Sequence, residues 1–174
     1  AMNNNYAFAG TSNSIYRSTD NGATWVVVFT PGSSVLSIKI AGNNIYAGVS
    51  NKIASSTDNG SNWTILLTSS FTARDVIELN SSLFAATSSG ALKSTDNGNT
   101  WFISNNGLIS TNVTSMISYG QYLLLTSDNV YYSSNSGNNW YTWGSGIVCS
   151  DGCIARRLIV VEPYVFIGTV DQSV

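Results

Sequence analysis

Apolar and polar positions along the chain fall into short blocks that recur in the same order. A block of mixed apolar character comes first, at Val35 to Ala41, Ala73 to Leu79, Val113 to Ser118 and Ala155 to Val161. A nearly continuous run of apolar and small residues follows, at Tyr6 to Thr11, Ile45 to Val49, Leu83 to Thr87, Tyr122 to Thr126 and Tyr164 to Thr169. Such runs predict strands buried on both faces. A third block leads into a polar octapeptide, at Ser14 to Ser18, Lys52 to Ser56, Ala91 to Ser94 and Val130 to Ser133. A fourth begins at or near a tryptophan, as in Trp25-Val26-Val27-Val28-Phe29. Short turns such as Gly42-Asn43-Asn44 separate the first block from the second. The pattern predicts four strands, A to D, in each unit of about 40 residues, and no helix.

The octapeptide fixes the period. It stands at Ser18 to Trp25, Ser56 to Trp63 and Ser94 to Trp101, and in degraded form at Ser133 to Trp140. Successive tryptophans are 38, 38 and 39 residues apart. A period in this range means units that bury their apolar faces only against a neighbour. Within the octapeptide, Asp and Asn side chains can bond backbone N–H groups two residues on, and Asn-Gly accepts positive φ and signals a hairpin. The fourth copy carries Asn135 in place of Asp and Ser136-Gly137 in place of Asn-Gly. The turn therefore needs an acceptor oxygen rather than an acid, which argues against a catalytic carboxylate at these positions.

These copies resemble the Asp-box, or bacterial neuraminidase repeat, Ser-x-Asp-x-Gly-x-Thr-Trp. The first and third match every fixed position, with Ser18, Asp20, Gly22 and Trp25, and Ser94, Asp96, Gly98 and Trp101. The second has Asn62 for Thr beside Ser56, Asp58, Gly60 and Trp63, and the fourth keeps Ser133, Gly137 and Trp140. The resemblance implies an all-β fold, a β-propeller of four-stranded antiparallel blades with the box in the hairpin between strands C and D. It implies structural roles for the box residues. It also implies that the D-to-A connections and B–C turns share the face that holds ligands. The family includes sialidases, xyloglucan-active hydrolases, sortilin-type receptors and a photosystem II assembly factor, so fold does not fix activity.

Blade boundaries fall near 5–42, 43–80, 81–119 and 120–161, with a partial unit at 162–174. The first unit lacks strand A and the last lacks most of C and all of D, so about 4.5 blades are expected, as in part of a larger propeller that the rest of a longer chain or a second chain completes. The alternative is a closed four-bladed ring in which Ala155 to Val161 supplies the missing strand. Phe8, Tyr46, Phe84 and Leu123 recur at 38, 38 and 39 residues, and Phe166 comes 43 later. The lengthening matches Cys149-Ser150-Asp151-Gly152-Cys153, which suits a small disulfide loop and an oxidising compartment. Two unpaired thiols are the alternative.

Composition narrows the chemistry. Among 174 residues the charged share is 9 % and the net charge −2, which gives no nucleic-acid footprint and no polybasic membrane patch. No apolar run approaches the ~20 residues of a membrane helix. There is no histidine, so no Ser-His-Asp triad and no His-ligated metal. Neither a calcium loop nor a phosphate-binding Gly-rich loop is present, and no cofactor is expected. A sialidase site would need three arginines, a Tyr–Glu pair and an acid. Arg74 and Arg156 share one repeat position near the start of strand A and either face a channel, pair with acids such as Asp75, or face solvent. Arg74, Asp128, Asp151, Arg156 and Arg157 are the candidates for a binding face. Tyr131, Tyr132, Tyr141 and Trp143 either stack on sugars or pack between blades. The expectation is a non-catalytic, secreted or cell-surface module that is a scaffold or binds a protein or glycan. A portion of a carbohydrate-active enzyme and an assembly factor are the alternatives.

Overall fold

The structure is a computed structural model that describes residues 1–2, 5–143 and 154–170. Five antiparallel sheets follow one another in chain order. The first holds β1 (Ala7–Gly10), β2 (Ile15–Ser18) and β3 (Val26–Phe29). The second is complete, with β4 (Val35–Ala41), β5 (Asn44–Val49), β6 (Lys52–Ser56) and β7 (Thr64–Thr68). So is the third, with β8 (Ala73–Leu79), β9 (Ser82–Thr87), β10 (Gly90–Ser94) and β11 (Phe102–Ile103). The fourth has β12 (Ser115–Tyr119), β13 (Tyr122–Thr126), β14 (Val130–Ser133) and β15 (Tyr141–Thr142). The fifth pairs β16 (Ile154–Val161) with β17 (Tyr164–Val170). No helix occurs among the described residues.

Each complete sheet is an up-and-down meander, so its strands are joined in the order A, B, C, D. Strand A leaves the end that carries the D-to-A connections and B–C turns. It arrives at the end that carries the A–B and C–D turns. Strand B is apolar throughout because its two sets of alternating side chains enter two cores. In β13, Leu123 and Leu125 join the core shared with the third blade, while Leu124 joins the core shared with the fifth. Phe84 and Ala86 of β9 look towards the fourth blade, and Leu83 and Ala85 towards the second. Four such cores separate five blades, and each draws residues from both neighbours.

This packing corrects one alignment. Tyr46, Phe84 and Phe166 stand opposite Lys39, Ile77 and Ile159 on their A strands, and the residue opposite Ile117 is Leu124, not Leu123. The B–C hairpin of the fourth blade holds one residue fewer between Leu124 and Tyr132 than the third holds between Phe84 and Lys93. A one-residue slip moves a side chain to the other face, and spacing alone does not reveal it. The repeat thus lengthens first between β11 and β12, not solely at the cysteines, and the β11–β12 connection folds over Trp140. There Trp140 N donates to Asn106 O at 2.8 Å, and its indole N–H donates to Ser104 O at 2.6 Å.

The four-bladed ring is not what forms. β16 pairs with β17 and packs on β12 and β13, leaving β1 to pair with β2. On the other edge of β1, Phe8 N donates to Ala1 O at 2.7 Å.

Candidate functional site

The octapeptide turns are the most regular structures in the molecule. In the first, the Ser18 hydroxyl donates to Asp20 Oδ1 at 2.7 Å and accepts from Gly22 N at 2.8 Å. Asp20 Oδ1 also accepts from Thr24 N at 2.8 Å, and Oδ2 from the Thr24 hydroxyl at 2.5 Å. Asn21 holds φ of 57° and Gly22 of 91°, which lets the chain reverse tightly enough for these bonds. The second and third turns repeat the set, with the Asn62 amide replacing the Thr hydroxyl on Asp58. In the fourth, Asn135 Oδ1 takes the Ser133 hydroxyl and Asn139 N, both at 2.9 Å. One oxygen therefore does what every copy requires, and the second carboxylate oxygen adds a bond that the fourth turn lacks.

Those bonds lower the carboxyl pKa of Asp20 to about 2, chiefly through the Thr24 hydroxyl. Asp58 is lowered to about 2, chiefly through Asn62 N–H. Asp96 is lowered as well, led by Thr100. Acids held this firmly as anions make poor proton donors at neutral pH. The indoles of Trp25, Trp63 and Trp101 donate back to the carbonyls of Gly22, Gly60 and Gly98. Trp140 departs from this by donating across the blade boundary to Ser104 O.

The other end of the meanders carries different chemistry. Arg74, at the start of β8, donates to Asn112 Oδ1 at 2.6 Å and to Val113 O at 2.9 Å. Its guanidinium pKa is lowered, first by burial and then by the nearby charge of Arg156. The sequence offered Asp75 as the acid for Arg74. The structure instead gives Arg74 neutral acceptors. Asp75 is buried with Lys39 Nζ at 3.8 Å, the one ion pair among the described residues. Asp75 Oδ2 accepts long bonds from Met116 N and the Ser115 hydroxyl, both at 3.4 Å, while Oδ1 has no hydrogen-bond donor. Burial pushes its carboxyl pKa up. Sequence reasoning missed this buried acid, because β8 is buried on both faces, Ala73 and Val76 towards the second blade and Ile77 towards the fourth, so no alternation marks Asp75 as inward.

Asp128, in the B–C turn of the fourth blade, accepts from the Ser127 hydroxyl at 2.6 Å and the Tyr131 hydroxyl at 3.1 Å. Arg156 and Arg157 are exposed on β16. Cys149, Asp151 and Cys153 lie outside the described residues. Of the candidate aromatics, Tyr131 is a core residue, while Tyr132 meets Tyr141 at 5.7 Å between ring centres. Tyr132 and Trp143 line a cleft of about 480 Å³ with Tyr119, Tyr122, Leu124 and Thr142. A second cavity, of about 350 Å³, lies along the A strands between Lys39, Glu78, Ser118 and Leu158, where the Tyr46 hydroxyl donates to Glu78 at 2.8 Å. Among the described residues no cluster of His, Cys, Asp and Glu could hold a metal ion, and no helix is long and apolar enough to cross a membrane.

No family model matches the chain, and no curated protein matches it. Solved structures do. The extracellular domain of BT4673 from B. thetaiotaomicron superposes with a TM-score of 0.76 at 13 % identity, over 97 % of this chain and 25 % of that one. YCF48 bound to D1 peptide gives 0.67 at 17 %, over 97 % and 59 %. An ancestral GH74 enzyme gives 0.63 at 21 %, over 81 % and 22 %. The chain thus spans about a quarter of the first and third and somewhat over half of the second. The likeness is one of fold: this is a β-propeller arrangement of about four blades, consistent with a partial propeller.

Proposed function

We propose that the chain is a non-catalytic β-propeller module of the Asp-box type, secreted or displayed at a cell surface. In this reading the octapeptide turns are architecture, and the opposite face binds an acidic group on a protein or glycan. The observation that carries it is the pair Arg74 and Arg156. Arg74 is held by two neutral oxygens, Asn112 Oδ1 and Val113 O, and its charge stands beside that of Arg156 with no acid paired to either among the described residues. A guanidinium positioned by neutral acceptors keeps N–H groups free to fork onto a carboxylate. The acids point the same way. Asp20, Asp58 and Asp96 are spent on their turns, Glu78 on Tyr46, and Asp128 on Ser127 and Tyr131. A glycosidase needs two carboxylates facing one cleft; the cavity beside Lys39 is lined by one carboxylate, Glu78, and the cleft beside Tyr132 by none.

The likeness to YCF48 bound to D1 peptide and to an extracellular domain supports peptide binding and an extracellular location as the working expectation. A disulfide between Cys149 and Cys153 would fit the same location. Acidic glycans and acidic peptides, arrayed side by side, test the reading. Wild-type protein should bind acidic members of one array and lose them with rising salt, and Arg156→Glu should bind none. Binding confined to neutral ligands, or unchanged in Arg156→Glu, would overturn it.

A further inference from the structure

Among the described residues Asp75 is the one buried carboxylate, 1 % exposed. It follows Arg74 near the start of β8, so it lies beneath the end of the molecule that carries Arg74 and Arg156. It also stands at the boundary of the third and fourth blades, each of them a complete sheet.

The strands packed around it bring two cations and no second acid. β12 offers Met116 N–H and the Ser115 hydroxyl, both at 3.4 Å from Oδ2. β4 offers Lys39 Nζ at 3.8 Å from Oδ1, beyond hydrogen-bond reach, and that oxygen has no donor. β16 brings the charge of Arg157 near enough to favour the anion. β9 sets Ala86 opposite Asp75, and Tyr46 of β5 is turned to Glu78 instead. On β8 itself, Arg74 is held by Asn112 and Val113 rather than by Asp75.

A buried carboxylate with two long bonds and one bare oxygen is poorly solvated as an anion, so it gives up its proton late. Its pKa is raised accordingly, with burial the leading cause. Once ionised, Asp75 offsets the charges of Lys39 and Arg157. While it is protonated, both charges stand uncompensated beneath Arg74 and Arg156.

We propose that the proton on Asp75 regulates the acid-binding face: an anionic partner is held more tightly while Asp75 is neutral and is released as the carboxylate forms. This rests on the reading of that face given above. The coupling is one of charge and requires no rearrangement of the blades. A unit charge ~10 Å from the ligand, at an effective dielectric of about 20 to 40, changes its affinity about four- to fifteenfold. Affinity therefore falls as pH rises from 3.8 through the raised value. Linkage is reciprocal, so a bound anion raises the Asp75 pKa further by the logarithm of the same factor.

Isothermal titration of the full chain between pH 4.5 and 8 tests this. The probes are two anions that stay ionised throughout, sulfated maltotriose and an amidated sulfotyrosine peptide without Asp or Glu. Wild type should bind at least one of them about four- to fifteenfold more tightly at the acid end. Asp75→Asn should keep the tighter value across the range. Exposed carboxylates give both proteins the same slope, so the difference between them is the readout. Lys39→Gln removes the cation at 3.8 Å and should move the step to higher pH. It serves in place of Asp75→Asn if circular dichroism shows that variant unfolded. A pH profile unchanged in Asp75→Asn, a step unmoved in Lys39→Gln, or tighter wild-type binding at pH 8 would overturn the inference and leave the binding face standing. Failure of both anions to bind wild type at any pH would overturn the binding face and this inference with it.

Discussion

Asp75 and the octapeptide acids are opposite solutions to holding a carboxylate. Asp20 and Asp58 lie at the surface and collect donors, so their folded pKa values fall to about 2 from 3.8. They contribute stability that is present above the unfolded pKa and lost as pH falls through the folded one. Asp75 is shut between blades, and burial raises its pKa. There the folded state holds the proton longer, so stability declines as pH rises from 3.8 through the raised value. Together the shifts predict a maximum in mildly acidic solution. Asp75→Asn keeps an oxygen for Met116 N and removes the buried charge, and Lys39, whose side chain is 34 % exposed, can hold its ammonium in water without the pair. Melting temperatures between pH 2 and 8 should show the decline above the maximum flattened in this variant, with the acid limb unchanged. A variant that melts well below wild type at pH 7 and keeps the full slope would contradict this account of Asp75.

At the scale of elements, the turn glycines separate conformational strain from packing. Gly22 and Gly60 occupy the same position with φ of 91° and 78°. A Cβ on Gly60 would come within 2.5 Å of the Phe8 ring, while one on Gly22 would meet only Trp25 at 3.7 Å. Gly22→Ala should cost about 1–2 kcal/mol of left-handed strain. Gly60→Ala should cost about 1–3 kcal/mol more, for overpacking a blade boundary. Chemical denaturation of both variants measures the difference, and equal losses would show that octapeptide hairpins do not seat on the preceding blade.

Much at this scale was legible in the sequence, because period, turn chemistry and strand alternation all agree. The strands and their order follow from the recurrence of the octapeptide and the apolar B strands. What escaped was whatever depends on a neighbour. Leu124 rather than Leu123 occupies the Phe84 position because a hairpin lost one residue. Trp140 turns its indole to Ser104 because the preceding connection grew to meet it. Asp75 meets Lys39 of the preceding blade rather than Arg74 beside it in sequence.

For the whole molecule, the meander sorts the chain into two ends with different residues. The octapeptides, Asp20, Asp58 and Asp96 among them, lie at one end, and Arg74, Asn112, Asp128 and the start of β16 at the other. The aim of the proposed function is that the second end meets the partner while the first keeps the blades in shape. Arg156→Glu and Asp58→Asn separate the two most directly, each on ligands that the arrays identify for the wild type. Asp58→Asn retains the oxygen that Ser56 and Asn62 N require, as Asn135 does in the fourth turn. The account predicts that binding survives Asp58→Asn at wild-type strength and disappears in Arg156→Glu. Loss of binding in Asp58→Asn with Arg156→Glu unaffected would place the partner on the octapeptide end and contradict it.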